Sequence, residues 1–116
     1  MSGFRFMRVI VFFDLPTITG EDKRNYRKFR KCLVKNGFIM LQESVYCKMI
    51  TSPSVENSVN NLLINNKPPN GLVQSLIVTE NQFTKMKYIT GEWTSDVIDC
   101  EDKFYEILLF WNRGSF

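Results

Sequence analysis

Apolar runs without polar interruption alternate along this chain with stretches of helical period. Val9-Ile10-Val11-Phe12-Phe13 is apolar throughout, which is the pattern of a strand covered on both faces. Asp14 follows directly, and Pro16, which has no N–H, ends the ladder. Thr17 to Gly20 reads as a loop. Thr19 and Asp22 have the spacing of a capping box, although Glu or Gln is the usual partner. Tyr26, Phe29 and Leu33, with Cys32 beside them, recur at helical spacing. They predict a helix from about Gly20 to Asn36, closed by Gly37 in the left-handed region. Phe38 to Gln42 reads as a second strand and Glu43 to Ile50 as a third, with a tight bend around Gln42–Ser44. Ser52 is placed as the N-cap and Pro53 as the first residue of another helix, whose apolar stripe is Val55, Val59, Leu62 and Leu63. The breaker cluster from Asn65 to Gly71 stops it. Leu72 to Thr79 is a fourth strand, Glu80 to Lys85 a short helical turn, and Met86 to Thr90 a short fifth strand ended by Gly91.

The order β-α-β-β-α-β predicts an α+β fold of the ferredoxin-like kind, with an antiparallel sheet. With right-handed crossovers both helices lie on one face. The first strand is nevertheless apolar on both sides, so the uncovered face needs another layer. A second copy of the same sheet, in a twofold homodimer, supplies it most simply. Residues near the axis of such a dimer meet their own copies. If Asp14 lies there, two carboxylates converge and repel unless a divalent cation or a proton sits between them. The alternative is plainer: Asp14 accepts backbone hydrogen bonds in the following turn.

The domain organisation expected is one domain over residues 1–90 and a separate C-terminal segment over 91–116. That segment is acidic at first, with Glu92, Asp96, Asp99, Glu101 and Asp102. It then turns apolar from Phe104 to Trp111. Phe104, Ile107, Leu108 and Trp111 share a helical face, but the run fits a strand equally well. It either completes the dimer core or docks a different subunit.

Composition narrows the chemistry. The chain has 116 residues and no histidine. The commonest general base and zinc ligand is therefore missing, and a Ser-His or Cys-His nucleophile is excluded. Hydrolysis would have to use carboxylates, a metal-activated water, or both. The three cysteines, Cys32, Cys47 and Cys100, are far apart and form no CxxC, so they read as reduced, small apolar residues. No run approaches a membrane span and the N-terminus lacks the apolar core of a signal peptide, which leads us to expect a cytoplasmic protein without a membrane partner.

Charge is distributed unevenly. Residues 1–50 carry ten basic residues against four acids, a net +6, whereas residues 51–116 carry a net −3. From Lys23 to Lys35 there is no acid at all. Arg24, Arg27, Lys28, Lys31 and Lys35 fall on the side of the first helix opposite its apolar stripe. A merely solvated face usually mixes signs to limit repulsion. A cationic stripe of this kind is instead rewarded by counterion release on a nucleic-acid backbone. Gln42, Ser44 and Tyr46 are further candidates for nucleic-acid contact, with a structural role at the bend favoured for Gln42 and Ser44.

Several of these stretches together resemble a known family. They are Val-Phe-Phe-Asp-Leu ending at Leu15, the basic helix from Asp22 to Lys31, Asn36-Gly37-Phe38, and Gln42-Glu-Ser-Val-Tyr46. The chain is similar to the small one of the two core CRISPR-associated adaptation proteins, and the loop from Leu15 to Asp22 looks most like the variant found with type II systems. The resemblance implies a homodimer that bridges copies of a larger integrase subunit, holds duplex DNA and helps insert it into the repeat array. It also implies metal-dependent endonuclease activity on RNA or DNA. The metal-binding and catalytic aspartate of the family maps to Asp14, with magnesium as the expected ion and manganese as a substitute. No second acid maps cleanly. Two alternatives remain on the same fold: a stand-alone magnesium-dependent endoribonuclease, and an RNA-binding module. Lys35 to Met40 faintly echoes the aromatic strand of such modules, but on the second strand instead of the third.

Overall fold

Val9, Val11 and Phe13 alternate with Ile10 and Phe12, and a pleated strand sends the two sets to opposite faces. The computed structural model, which describes residues 6–93, builds its sheet around this strand. The elements run β1 (Met7–Asp14), α1 (Gly20–Lys35), β2 (Ile39–Gln42), β3 (Val45–Ile50), α2 (Pro53–Asn65), β4 (Leu72–Thr79) and α3 (Glu80–Thr84). The four strands lie in the order β2-β3-β1-β4, and every neighbouring pair is antiparallel. This is the expected α+β, ferredoxin-like arrangement.

The register assigns the faces. Val9, Val11 and Phe13 lie opposite Lys48, Tyr46, Ile77, Ser75 and Val73. On this side they pack with Phe29, Leu33 and Val34 of α1, Val59 of α2, Phe38, Met40 and Ile50. Phe13 is the aromatic hub: its ring is edge-on to Tyr26 and Phe29 and stacked on Tyr46, with centroids 5.9, 5.2 and 5.6 Å away.

Local chemistry fixes the helices. The Thr19 hydroxyl accepts from the Asp22 amide at 3.0 Å, and the Thr19 amide donates to the Asp22 carboxylate at 3.1 Å. Asp22 thus closes the capping box in place of Glu. At the other end Gly37 takes φ +90°, where a side chain would be strained. Lys48 donates to the Asn36 carbonyl there at 2.6 Å, a cation at the negative end of α1; burial lowers its pKa. Ser52 caps α2 by accepting from the Val55 amide.

The opposite face of the sheet is divided among the described residues: Ile10 and Cys47 are buried on it, while the part toward the end of β1 and the start of β4 is bare. Ile10 and Phe12 share it with Val45, Cys47, Leu72, Leu76 and Gln74. Phe12 is 37% exposed, and Leu72 and Leu76 are each 54% exposed. One corner is covered by α3. The Arg8 guanidinium donates to both Glu80 carboxylate oxygens, at 2.8 and 3.1 Å, and lies 4.2 Å from the centre of the Phe83 ring.

Two expectations need correction. Met86 to Thr90 forms no strand. The chain after α3 instead reaches the far margin of the sheet, where the Trp93 indole N–H donates to the Met40 carbonyl of β2 at 2.7 Å. A segment drawn across in that way cannot also run beside β4. The tight turn expected around Gln42–Ser44 is present at residues 43–44, so β3 starts at Val45 and not at Glu43, and the β2–β3 pairing carries a register shift between Met40 and Gln42. Of the 91–116 segment only residues 91–93 are described, so the candidate contacts Phe104, Ile107, Leu108 and Trp111 lie outside the described residues. No described helix is long and apolar enough to cross a membrane.

Candidate nucleic-acid interface and strand-end carboxylate

Helical geometry turns the spacing of Arg24, Arg27, Lys28, Lys31 and Lys35 into a single stripe. All five are exposed, and the residues of α1 that are buried, Phe29, Leu33 and Val34, face the sheet. The sequence expectation of a cationic outer surface on α1 is met in full. Arg30 stands apart from it: its Nε donates to the Tyr46 hydroxyl at 3.2 Å and its guanidinium lies over Tyr26.

Tyr46 does not reach that surface. It is completely buried, and its hydroxyl donates to the Met40 thioether at 3.4 Å. As a candidate for nucleic-acid contact it is therefore corrected to a core residue. Ser44 has the structural role favoured for it, since its carbonyl accepts from the Phe13 amide at 3.0 Å.

Asp14 is the last residue of β1, opposite Leu72. It is exposed and lies on the bare face, with the parity of Ile10 and Phe12. Its carboxylate makes no hydrogen bond or ion pair with a described residue, so it is not the turn-former that the plainer reading describes. Among the described residues no three metal-ligating side chains come together. A lone, unengaged carboxylate fits a hard divalent cation as one ligand, and the described residues do not gather the further side chains a full shell would take.

Two residues near these sites escaped the sequence reading. Gly71 has φ +93°, and a Cβ there would lie 2.7 Å from the Asp14 carbonyl oxygen. The α2–β4 loop thus packs directly on the backbone of the strand-end acid. The only sequence signal was Asn70-Gly71, which marks a turn but not what the turn touches. Lys67 sits on that loop, lining clefts on both sides of it. An isolated lysine in a breaker cluster carries no pattern from which to infer this.

The family model described as CRISPR associated protein Cas2 matches residues 7–86. The chain belongs to the Cas2 family. It is 48% identical over 97 residues to the CRISPR-associated endoribonuclease Cas2 of Treponema denticola, covering 84% of this chain and 96% of the relative. The protein of the same name from Streptococcus mutans is 41% identical over 97 residues, covering 84% and 89%. That from Lacticaseibacillus rhamnosus is 38% identical over 97 residues, covering 84% and 96%. Asp14 and all five stripe residues fall within the stretch the family model matches; Phe104 to Trp111 falls beyond it.

Proposed function

We propose that this chain is the small homodimeric subunit of a CRISPR spacer-acquisition complex and that it holds duplex DNA through its phosphate backbone. The observation that carries the reading is the acid-free run from Lys23 to Lys35, with its five cations displayed on the exposed side of α1. Such a stripe contacts phosphates and not base edges, so binding is tolerant of sequence and steeply salt-dependent. The bare apolar face supports pairing with a second copy, because an isolated chain would leave Phe12, Leu72 and Leu76 in water. The larger integrase subunit is proposed to dock on the apolar tail, through Phe104, Ile107, Leu108 and Trp111.

The deciding experiment measures duplex affinity from low to moderate salt. The expected log–log slope is steep, and replacing Arg27 and Lys31 together by Gln reduces it by about two units. A flat profile for the wild type would overturn the reading.

A second reading is favoured by one feature, the unengaged Asp14 carboxylate. In it the chain is a metal-dependent endonuclease acting on RNA, as the relatives' names describe for those proteins, or on DNA. Asp14 from each of two copies would hold magnesium or manganese, with water filling the remaining positions. The bound ion would supply a more acidic water and offset charge on phosphate. Cleavage of single-stranded RNA by wild type and by Asp14→Asn, at equal purity, tests it. Equal rates would remove Asp14 from the chemistry.

A further inference from the structure

Beside the α1 stripe the structure has a cleft of about 130 Å³ between α1 and the α2–β4 loop. Asn25, Lys28 and Cys32 line it from α1, and Asn65, Lys67 and Pro68 line it from the other side. Its lining includes two lysines and no acid. We infer that this cleft is a phosphate-binding subsite, in which Lys28 and Lys67 together engage one phosphodiester of a bound nucleic-acid backbone. The inference rests on the nucleic-acid reading of α1 and extends it to a second element.

Three physical points support it. The first is position. At 100° per residue Lys28 stands at the edge of the stripe, and Asn25 and Cys32 lie further round the same side. A backbone lying along the stripe therefore passes the mouth of the cleft. The second is charge. The carboxyl end of α2 projects about half a negative charge toward this region, but two full positive charges outweigh it. The Asn66 amide also donates to the Leu62 carbonyl at 2.9 Å, which satisfies one of the α2 carbonyls. The side-chain amides of Asn25 and Asn65 make no hydrogen bond to a described residue, which leaves them as neutral donors to an oxyanion. The third is rigidity. Pro68 and Pro69 restrict the loop that carries Lys67, and the close packing at Gly71 fixes its far end against β1. Less ordering is then needed on binding.

Cys32 provides a local reporter. Its thiol lines the cleft and is half-buried, and burial raises its pKa. Cys47 is buried and serves as the control for unfolding.

The test has two arms on the full chain. In the first, duplex affinity is followed against salt for wild type, Lys67→Gln and Lys85→Gln. Lys85 caps α3, which packs on the other side of the sheet, so its loss changes net charge equally without touching the cleft. Lys67→Gln is expected to lower the slope by about one unit and Lys85→Gln to leave it unchanged. In the second arm, alkylation of Cys32 by iodoacetamide is read by site-resolved mass spectrometry, with and without saturating duplex, and with inorganic phosphate alone. Slower alkylation of Cys32 with duplex, lost in Lys67→Gln, is the expected result. Protection by inorganic phosphate without protection by duplex would overturn the backbone assignment. Equal slopes for the two variants with no protection of Cys32 would overturn the subsite altogether. If the wild type binds no duplex, the parent reading fails, and the phosphate arm still decides whether the cleft takes the anion.

Discussion

Asp14 presents a carboxylate on an apolar surface without a hydrogen bond to any described residue, so little of the fold depends on it. Asp14→Asn is expected to leave the unfolding free energy from urea denaturation within about 0.5 kcal/mol of wild type, as for surface positions without partners. Gly71 is the opposite case: it carries no functional group, yet a methyl there meets the Asp14 carbonyl oxygen at 2.7 Å on a backbone with positive φ. Gly71→Ala is expected to cost about 1–3 kcal/mol in the same measurement. Glu80 adds a pH dependence. Its hydrogen bonds from Arg8 hold its pKa below the ordinary 4.5. The stabilisation is therefore complete above that value and is lost as pH falls through the lowered one. Wild type and Glu80→Gln should differ in thermal midpoint at neutral pH and converge in acid. Asp14 was legible in the sequence because an uninterrupted apolar run ends on it. Gly71 and the Arg8–Glu80 pair were not, because their reasons lie across the sheet and not along the chain; the pair is separated by 72 residues.

At the level of elements, the sequence was readable wherever local chemistry decides. The α1 boundaries follow from Thr19, Asp22 and Gly37, which act on their immediate neighbours. Thr19→Ala is expected to cost about 1 kcal/mol, read from the denaturation midpoint, because it removes one half of the capping box. β4 was read at its full extent because Gly71 and the cap of α3 bracket it. Met86 to Thr90 failed for the converse reason. Its composition suits a strand, but composition does not supply a partner, and Trp93 takes the chain to β2. The basic stripe was legible because helical period alone sets it. The cleft at Lys67 was not, because it exists only where two elements meet.

For the whole molecule, the bare face sets the expectation. Leu76 is opposite Ile10 on that face and more than half exposed, so Leu76→Glu should leave the isolated fold intact. Sedimentation is expected to show a dimer for wild type and a monomer for this variant, since a buried, unpaired carboxylate at a symmetric contact is repeated on both sides. The second copy was inferred from the sequence through the two-sided apolarity of β1; which apolar residues stay uncovered needed the register. Trp93 has a consequence of its own for how sheets of this protein can join. By occupying the Met40 carbonyl it blocks one margin of the sheet, while among the described residues β4 leaves the other unmatched. Margin-to-margin joining through the described residues is then confined to β4, so a contact of that kind ties one chain to one other.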